Sequence, residues 1–186
     1  MADGTLKVGT ITTSSGSGTI TLGQSGETVT IPSGATVSGL ASNQHKFSAY
    51  LSSNQTGLSS GSWNKVNLNA EKWDTSSYYN ISNYRFLPTD GDSAYYQFNA
   101  QIDLGGTPSY SIIALYKNGS MFKRGSGIYS SGVSESWTSV SGTILLNGST
   151  DYVELYCYAT FSGTGTFFGG ATGDTCWLDG YKIIGA

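Results

Sequence analysis

The sequence predicts an all-β chain, a jelly-roll β-sandwich head of about ten strands preceded by an arm of short strands. Three observations predict it. From Phe47 onward, runs rich in Tyr, Phe, Val, Ile and Thr alternate with Gly, Asn, Asp and Ser turns, and no helix-length pattern interrupts them. The aromatic residues, 13 Tyr, 7 Phe and 4 Trp, all lie from Phe47 on. Residues 1–46 carry a recurring Thr-rich phrase in their place.

In the arm that phrase reads Gly9-Thr10-Ile11-Thr12, Gly18-Thr19-Ile20-Thr21, Thr28-Val29-Thr30-Ile31 and Thr36-Val37-Ser38. One β-branched residue follows each leading Thr, with Gly and Ser turns between, which predicts very short strands. A single apolar face of this size does not offset backbone ordering at roughly 1–2 kcal/mol per residue. The arm is therefore expected to need partners, and Thr10, Ile11, Thr19, Ile20, Thr28, Val29, Ile31 and Val37 are its candidate attachment residues. Copies of the arm in a three-fold stalk, or a groove on another protein that accepts it as an added strand, would supply them. A plain Gly/Ser/Thr linker is the blander reading.

In the head the expected strands are Phe47–Leu51, Lys65–Leu68, Tyr84–Phe86, Ser93–Leu104, Tyr110–Lys117, Ser136–Leu146, Asp151–Phe161 and Cys176–Ile184. Asp90-Gly91, Asn118-Gly119 and Asn147-Gly148 supply turns between them. Eight or more strands in about 140 residues fit a sandwich or jelly roll rather than a solenoid. Alternation puts Tyr96, Phe98, Ala100 and Ile102 on one face, the expected core.

Composition narrows function. Charged residues are 11% and the net charge is −3, which gives no footprint for nucleic acid. The cluster Lys117, Lys123 and Arg124 reads as a solvated turn. No run approaches the about 20 apolar residues of a membrane span, so no membrane insertion is expected. No signal-peptide pattern opens the sequence, and the expectation is synthesis in a cytoplasm without secretion. Cys157 and Cys176 read as buried thiols, with a bridge left open should they lie on neighbouring strands.

Catalysis finds little support. Gly57-Leu58-Ser59-Ser60-Gly61 matches the nucleophile-elbow pattern, yet it lies in a polar turn region and His45 is the sole histidine. The expectation is no enzyme, no catalytic residue and no cofactor. Asp90 and Asp92 are weak candidates for a cation in a turn that explains itself as a turn. Trp73, Tyr78 and Tyr79, and the pair Phe167-Phe168, are candidates to stack on a sugar or a protein receptor, although packing explains most such residues.

Phe47-Ser48-Ala49-Tyr50, Trp63-Asn64-Lys65-Val66-Asn67-Leu68, Tyr84-Arg85-Phe86-Leu87-Pro88 with Tyr95-Tyr96-Gln97-Phe98, and Ala114-Leu115-Tyr116-Lys117-Asn118-Gly119 stand in a telling order. With Ser141-Gly142-Thr143-Ile144-Leu145-Leu146 and the closing Leu178-Asp179-Gly180-Tyr181-Lys182-Ile183, they resemble the globular head of complement component one q and its relative tumour necrosis factor. That resemblance implies a ten-stranded jelly roll and a homotrimer. It makes Phe47, Tyr50, Tyr95, Tyr96, Phe98, Tyr116, Tyr152, Tyr156 and Tyr181 the expected core and trimer aromatics.

No collagen-like Gly-X-Y stem accompanies this head. The Gly-Thr-Ile-Thr arm joined to it resembles small virion structural proteins of tailed marine bacteriophages. The resemblance implies a capsid decoration, cement or short head-fibre protein, with residues 1–46 bound to the major capsid protein or another virion protein. Its location would be the virion, on the capsid surface or a tail fibre, after synthesis in the host cytoplasm. The alternative is a tail-fibre tip that recognises a host-surface glycan or protein.

Overall fold

The structure, a computed structural model, describes residues 11, 26–30, 33, 45–91 and 93–183. The chain divides into two units, Met1–Leu40 and Ala41–Ala186. Every strand among the described residues belongs to the second.

Those strands are β1 Lys46–Tyr50, β2 Ser62–Lys65, β3 Ala70–Asp74, β4 Tyr79–Asn80, β5 Arg85–Phe86, β6 Ala94–Gly105, β7 Pro108–Lys117, β8 Ser120–Tyr129, β9 Glu135–Leu146, β10 Val153–Phe161, β11 Thr166–Phe167 and β12 Trp177–Lys182. All pairings are antiparallel, and they form two six-stranded sheets. In sheet A, β9 pairs with β6, β6 with β12, β12 with β1 and β1 with β3, while β11 pairs with the end of β6. In sheet B, β8 pairs with β7 and β7 with β10, and β10 pairs with both β2 and β5, the latter carrying β4. This is the jelly-roll sandwich that the sequence predicts.

The two sheets close over one core. Tyr96, Phe98, Ala100 and Ile102 of β6 all point inward, as their alternation requires. Phe47 stacks on Phe86 of the opposite sheet at 4.5 Å and on Tyr79 at 5.3 Å, and meets Phe98 edge-on at 6.2 Å. Gly180, paired with both Phe47 and Phe98, is what lets those rings meet. A Cβ there would come within 2.6 Å of the Phe47 ring.

Strands β8 and β9 belong to different sheets yet touch. A Cβ at Gly125 would fall 2.3 Å from the Ser139 carbonyl, and Ser126 bonds the Ser139 backbone through its hydroxyl in both directions. One long edge of the sandwich is sealed in this way.

Four strands escape the sequence reading, and the expected strand Lys65–Leu68 is displaced to β2, Ser62–Lys65. β4 and β11 have two residues each, and β3 has the exposed run Glu71, Lys72 and Trp73. β8 corrects the expected solvated turn at Lys123 and Arg124: both residues lie on a ten-residue edge strand exposed along nearly all its length. The thiols of Cys157 and Cys176 are free and buried, and burial raises both, Cys176 to about 12.

Candidate functional site

The outward side of each sheet carries a distinct surface. On sheet A, the strand register aligns Gln97, Asn99 and Gln101 of β6 with Thr143, Ser141 and Ser139 of β9. Amides and hydroxyls join there: the Gln97 side-chain amide donates to Ser141 at 2.8 Å, Ser141 donates to Asn99 at 2.9 Å and Thr143 donates to Gln97 at 2.8 Å. Apolar groups flank this ladder, with Tyr95, Trp137, Leu145 and Tyr181 each more than two-fifths exposed.

Two carboxylates lie in the same face. Asp103, opposite Trp137, is 3% exposed, and its Oδ1 has no hydrogen-bond partner among the described residues. Burial, with the Glu135 carboxylate beside it, holds the acid up at about 6. Asp179 Oδ1 likewise lacks a partner there, and burial raises this acid too, against the hydrogen bond from Ser48. A buried acceptor without a donor is costly, so this surface is short of donors in a single copy.

Sheet B faces outward with aromatic rings. Tyr116 and Tyr156 stack at 4.2 Å, Tyr110 and Tyr129 meet at 4.5 Å, and Trp63 stands edge-on to both Tyr116 and Tyr158. The Arg85 guanidinium lies over the Tyr152 ring at 4.6 Å. Lys65 is paired with Glu154 at 2.6 Å.

The expected core and trimer aromatics therefore divide three ways. Phe47, Tyr96 and Phe98 are core; Tyr50, Tyr95 and Tyr181 are on the outward side of sheet A; Tyr116, Tyr152 and Tyr156 are on the sheet B side. Of the ligand-facing candidates, Trp73 is 45% exposed and Tyr78 is half-buried. Tyr79 is a correction: it points into the core, its hydroxyl donates to the Leu68 carbonyl at 3.1 Å, and burial raises its pKa. Phe167 is corrected likewise, being fully buried. A shallow pocket of about 150 Å³ opens between Tyr78, Asn80, Arg85 and Thr89.

His45, just before β1, gathers three other segments. Its Nε2 lies 3.2 Å from Asp90, its Nδ1 2.7 Å from Ser76, its ring stacks on Tyr78 at 5.1 Å, and its carbonyl accepts from Lys182 N. Serine, imidazole and carboxylate meet here, with the ring nitrogens exchanged relative to a Ser-His-Asp triad, in which Nε2 faces the serine. Asp90 also takes Lys182 at 3.1 Å, so the group works as a clasp on the loop before β6. Ser59 is elsewhere, its backbone amide capped by Asn64. Asp90, a weak cation candidate, is thus held by the Lys182 ammonium and the His45 ring, and no cluster of three metal-ligating side chains occurs among the described residues. Asp92 lies outside the described residues, as do Thr10, Thr19, Ile20, Ile31 and Val37 of the arm, whereas Ile11, Thr28 and Val29 are exposed.

Comparison with solved structures bears on the sandwich. The globular domain of the zebrafish complement 1qA protein matches with a TM-score of 0.53 at 14% identity, covering 76% of this chain and 98% of its own. The fold is that jelly roll. Murine APRIL, from a crystal at pH 5.0, matches with a TM-score of 0.56 at 9% identity over 75% of this chain and 98% of its own. Eiger TNF from S. frugiperda matches at 0.54 and 9% identity, over 76% and 95%. No protein-family model and no curated protein matches the chain. The complement one q and tumour necrosis factor resemblance read from the sequence is borne out for the fold.

Proposed function

We propose that this chain is a virion structural protein of a tailed bacteriophage, a capsid decoration, cement or short head-fibre protein that acts as a homotrimer. Three jelly-roll heads pack through the outward face of sheet A, and residues 1–46 hold the trimer to the major capsid protein or another virion protein. The work is attachment without chemistry: copies that bind only the assembled shell stabilise it by mass action. No enzymatic step and no cofactor enter this reading.

The observation that carries it is the sheet A face. Exposed Tyr95, Trp137, Leu145 and Tyr181 surround polar groups that include two buried carboxylate oxygens lacking donors among the described residues. A second and third copy would bury those side chains and supply donors. The viral setting is supported by the resemblance of the arm-and-head sequence.

The test has two parts. Trp137→Glu with Leu145→Glu should convert trimers to monomers in sedimentation while near-ultraviolet circular dichroism stays native, because two charges would be buried unpaired at the contact. Deleting residues 1–40 should abolish binding to purified particles; a truncated head that binds at full affinity would remove the arm from the attachment role. Trp73, exposed on β3, and the separate pocket at Tyr78 favour a second reading as a tail-fibre tip that recognises a host-surface glycan or protein. Particle imaging separates the two, by copies on capsid three-fold positions or only at the tail.

A further inference from the structure

The outward face of sheet B is paved by six rings, Tyr129, Tyr110, Tyr158, Trp63, Tyr116 and Tyr156. Each touches the next, with centroid steps between 4.2 and 6.0 Å. They come from four adjacent strands, β8, β7, β10 and β2, so they form one continuous surface. Tyr129 at the rim is 85% exposed and the other five are half-buried, with flanks against the sheet. Ala114 of β7 lies fully covered beneath this layer and outside the core between the sheets.

Ring pairs across strands also stabilise a sheet, and that alone would account for a pavement. It would not account for the charges set into it. The carboxylates on this side are already neutralised, Glu154 by Lys65 at 2.6 Å and Asp151 by Lys117 at 2.8 Å. Arg85 lies over Tyr152, and Arg124, opposite Ala114 on β8, donates through Nε to the Met121 sulfur at 3.3 Å. Among the described residues neither guanidinium has a carboxylate partner. A chain with a net charge of −3 thus presents a net-positive face on its aromatic side.

We infer that this face binds an acidic polysaccharide: the rings stack on the C–H faces of successive sugars, while Arg85 and Arg124 pair with carboxylate or sulfate groups. Flat rings give contact area at little entropic cost, and guanidinium matches planar anions with two parallel hydrogen bonds. The charge balance favours a polyanion over a neutral glycan, whose hydroxyls would leave both cations without counter-charge. The ring pavement is on the other sheet from Trp73, while Arg85 at its border also lines the Tyr78 pocket. The inference rests on the proposed trimer only in that sheet A, and not sheet B, forms the contact between copies.

Native affinity electrophoresis of the full-length chain in gels containing alginate, a polyuronate, tests this, with neutral hydroxyethylcellulose alongside. Alginate should retard the protein more than the neutral polymer does, and added salt should weaken the effect. Arg85→Ala and Trp63→Ala should each lose roughly tenfold in apparent affinity, and Trp73→Ala on sheet A should lose none. Arg124→Ala, a change on an exposed strand, should weaken retardation even if Trp63→Ala fails to fold. Absence of retardation in alginate, equal retardation by the neutral polymer, or full retardation of both arginine variants overturns the inference. Sedimentation run in parallel separates the two readings: a trimer that ignores alginate sinks only this one, and a monomer that binds it sinks only the trimer.

Discussion

Sheet A and sheet B obey the same inside-outside alternation, yet their outward faces have little in common. On sheet A, β6 and β9 present Gln, Asn, Ser and Thr in register, with rings confined to the margins and two acids buried among them. On sheet B, β7 and β10 present Tyr110, Tyr116, Tyr156 and Tyr158 outward, staggered across the register, and the acids there have lysine partners. Both solutions protect a pleated surface, one by a ladder of hydrogen bonds and the other by stacked rings. The difference teaches that a face short of donors is suited to another protein surface, whereas a ring-paved face bordered by guanidinium groups is suited to something flat and anionic.

Removing what the two faces share is the most severe way to test their independence. Phe47 belongs to sheet A and packs on Phe86 and Tyr79 of sheet B, so Phe47→Ala should destabilise the head by about 3–5 kcal/mol in denaturant unfolding. Trimerisation and alginate retardation should then fail together; survival of one past the loss of the other would show that the sheets fold separately.

A smaller change sharpens sheet A alone. The folded head retains the Asp103 proton up to about pH 6, while the unfolded chain releases it near 3.8. The folded state therefore binds more protons in this window, and stability should fall as pH rises from about 4 to about 6. The negative charge of Glu135 beside it adds to burial in raising the Asp103 acid. Asp103→Asn should flatten this part of a melting-temperature profile; an unchanged profile would mean that another group supplies the slope.

The least effect belongs to the sheet B rim. Lys117 and Asp151 form a partly exposed pair, with Asn118 also donating to the acid, and these bonds lower its pKa. Asp151→Asn should cost less than about 1 kcal/mol in thermal melts and leave alginate retardation intact.

Much of the sandwich was legible because long strands declare themselves. β6 and β9 alternate over twelve residues each between clear turns, and the sequence reading found both within a residue or two. β8 was not legible: Met121-Phe122-Lys123-Arg124 mixes apolar and charged residues without alternation, because an edge strand exposed on nearly every side imposes no period. β3 hid for a related reason, its exposed Glu71, Lys72 and Trp73 following no buried partner. The two faces could not be told apart in advance. Tyr95 and Tyr116 each sit in an alternating strand, and nothing local to either says which sheet it joins, since that depends on pairings with β9 and β10, roughly 30 to 50 residues away in sequence.

The pairing of β1 with β12 carries a mechanical meaning. Lys46 lies across from Tyr181, so the first and last strands of the head begin and finish side by side at the same end of sheet A. Tension applied between those two points would open the ladder like a zipper, one bonded pair after another from Lys46 inward, rather than loading all its bonds at once in shear. The clasp of His45 on Asp90 and Ser76 stands at the first tooth of that zipper. Resistance to a pull on the head therefore begins with a histidine outside the strands.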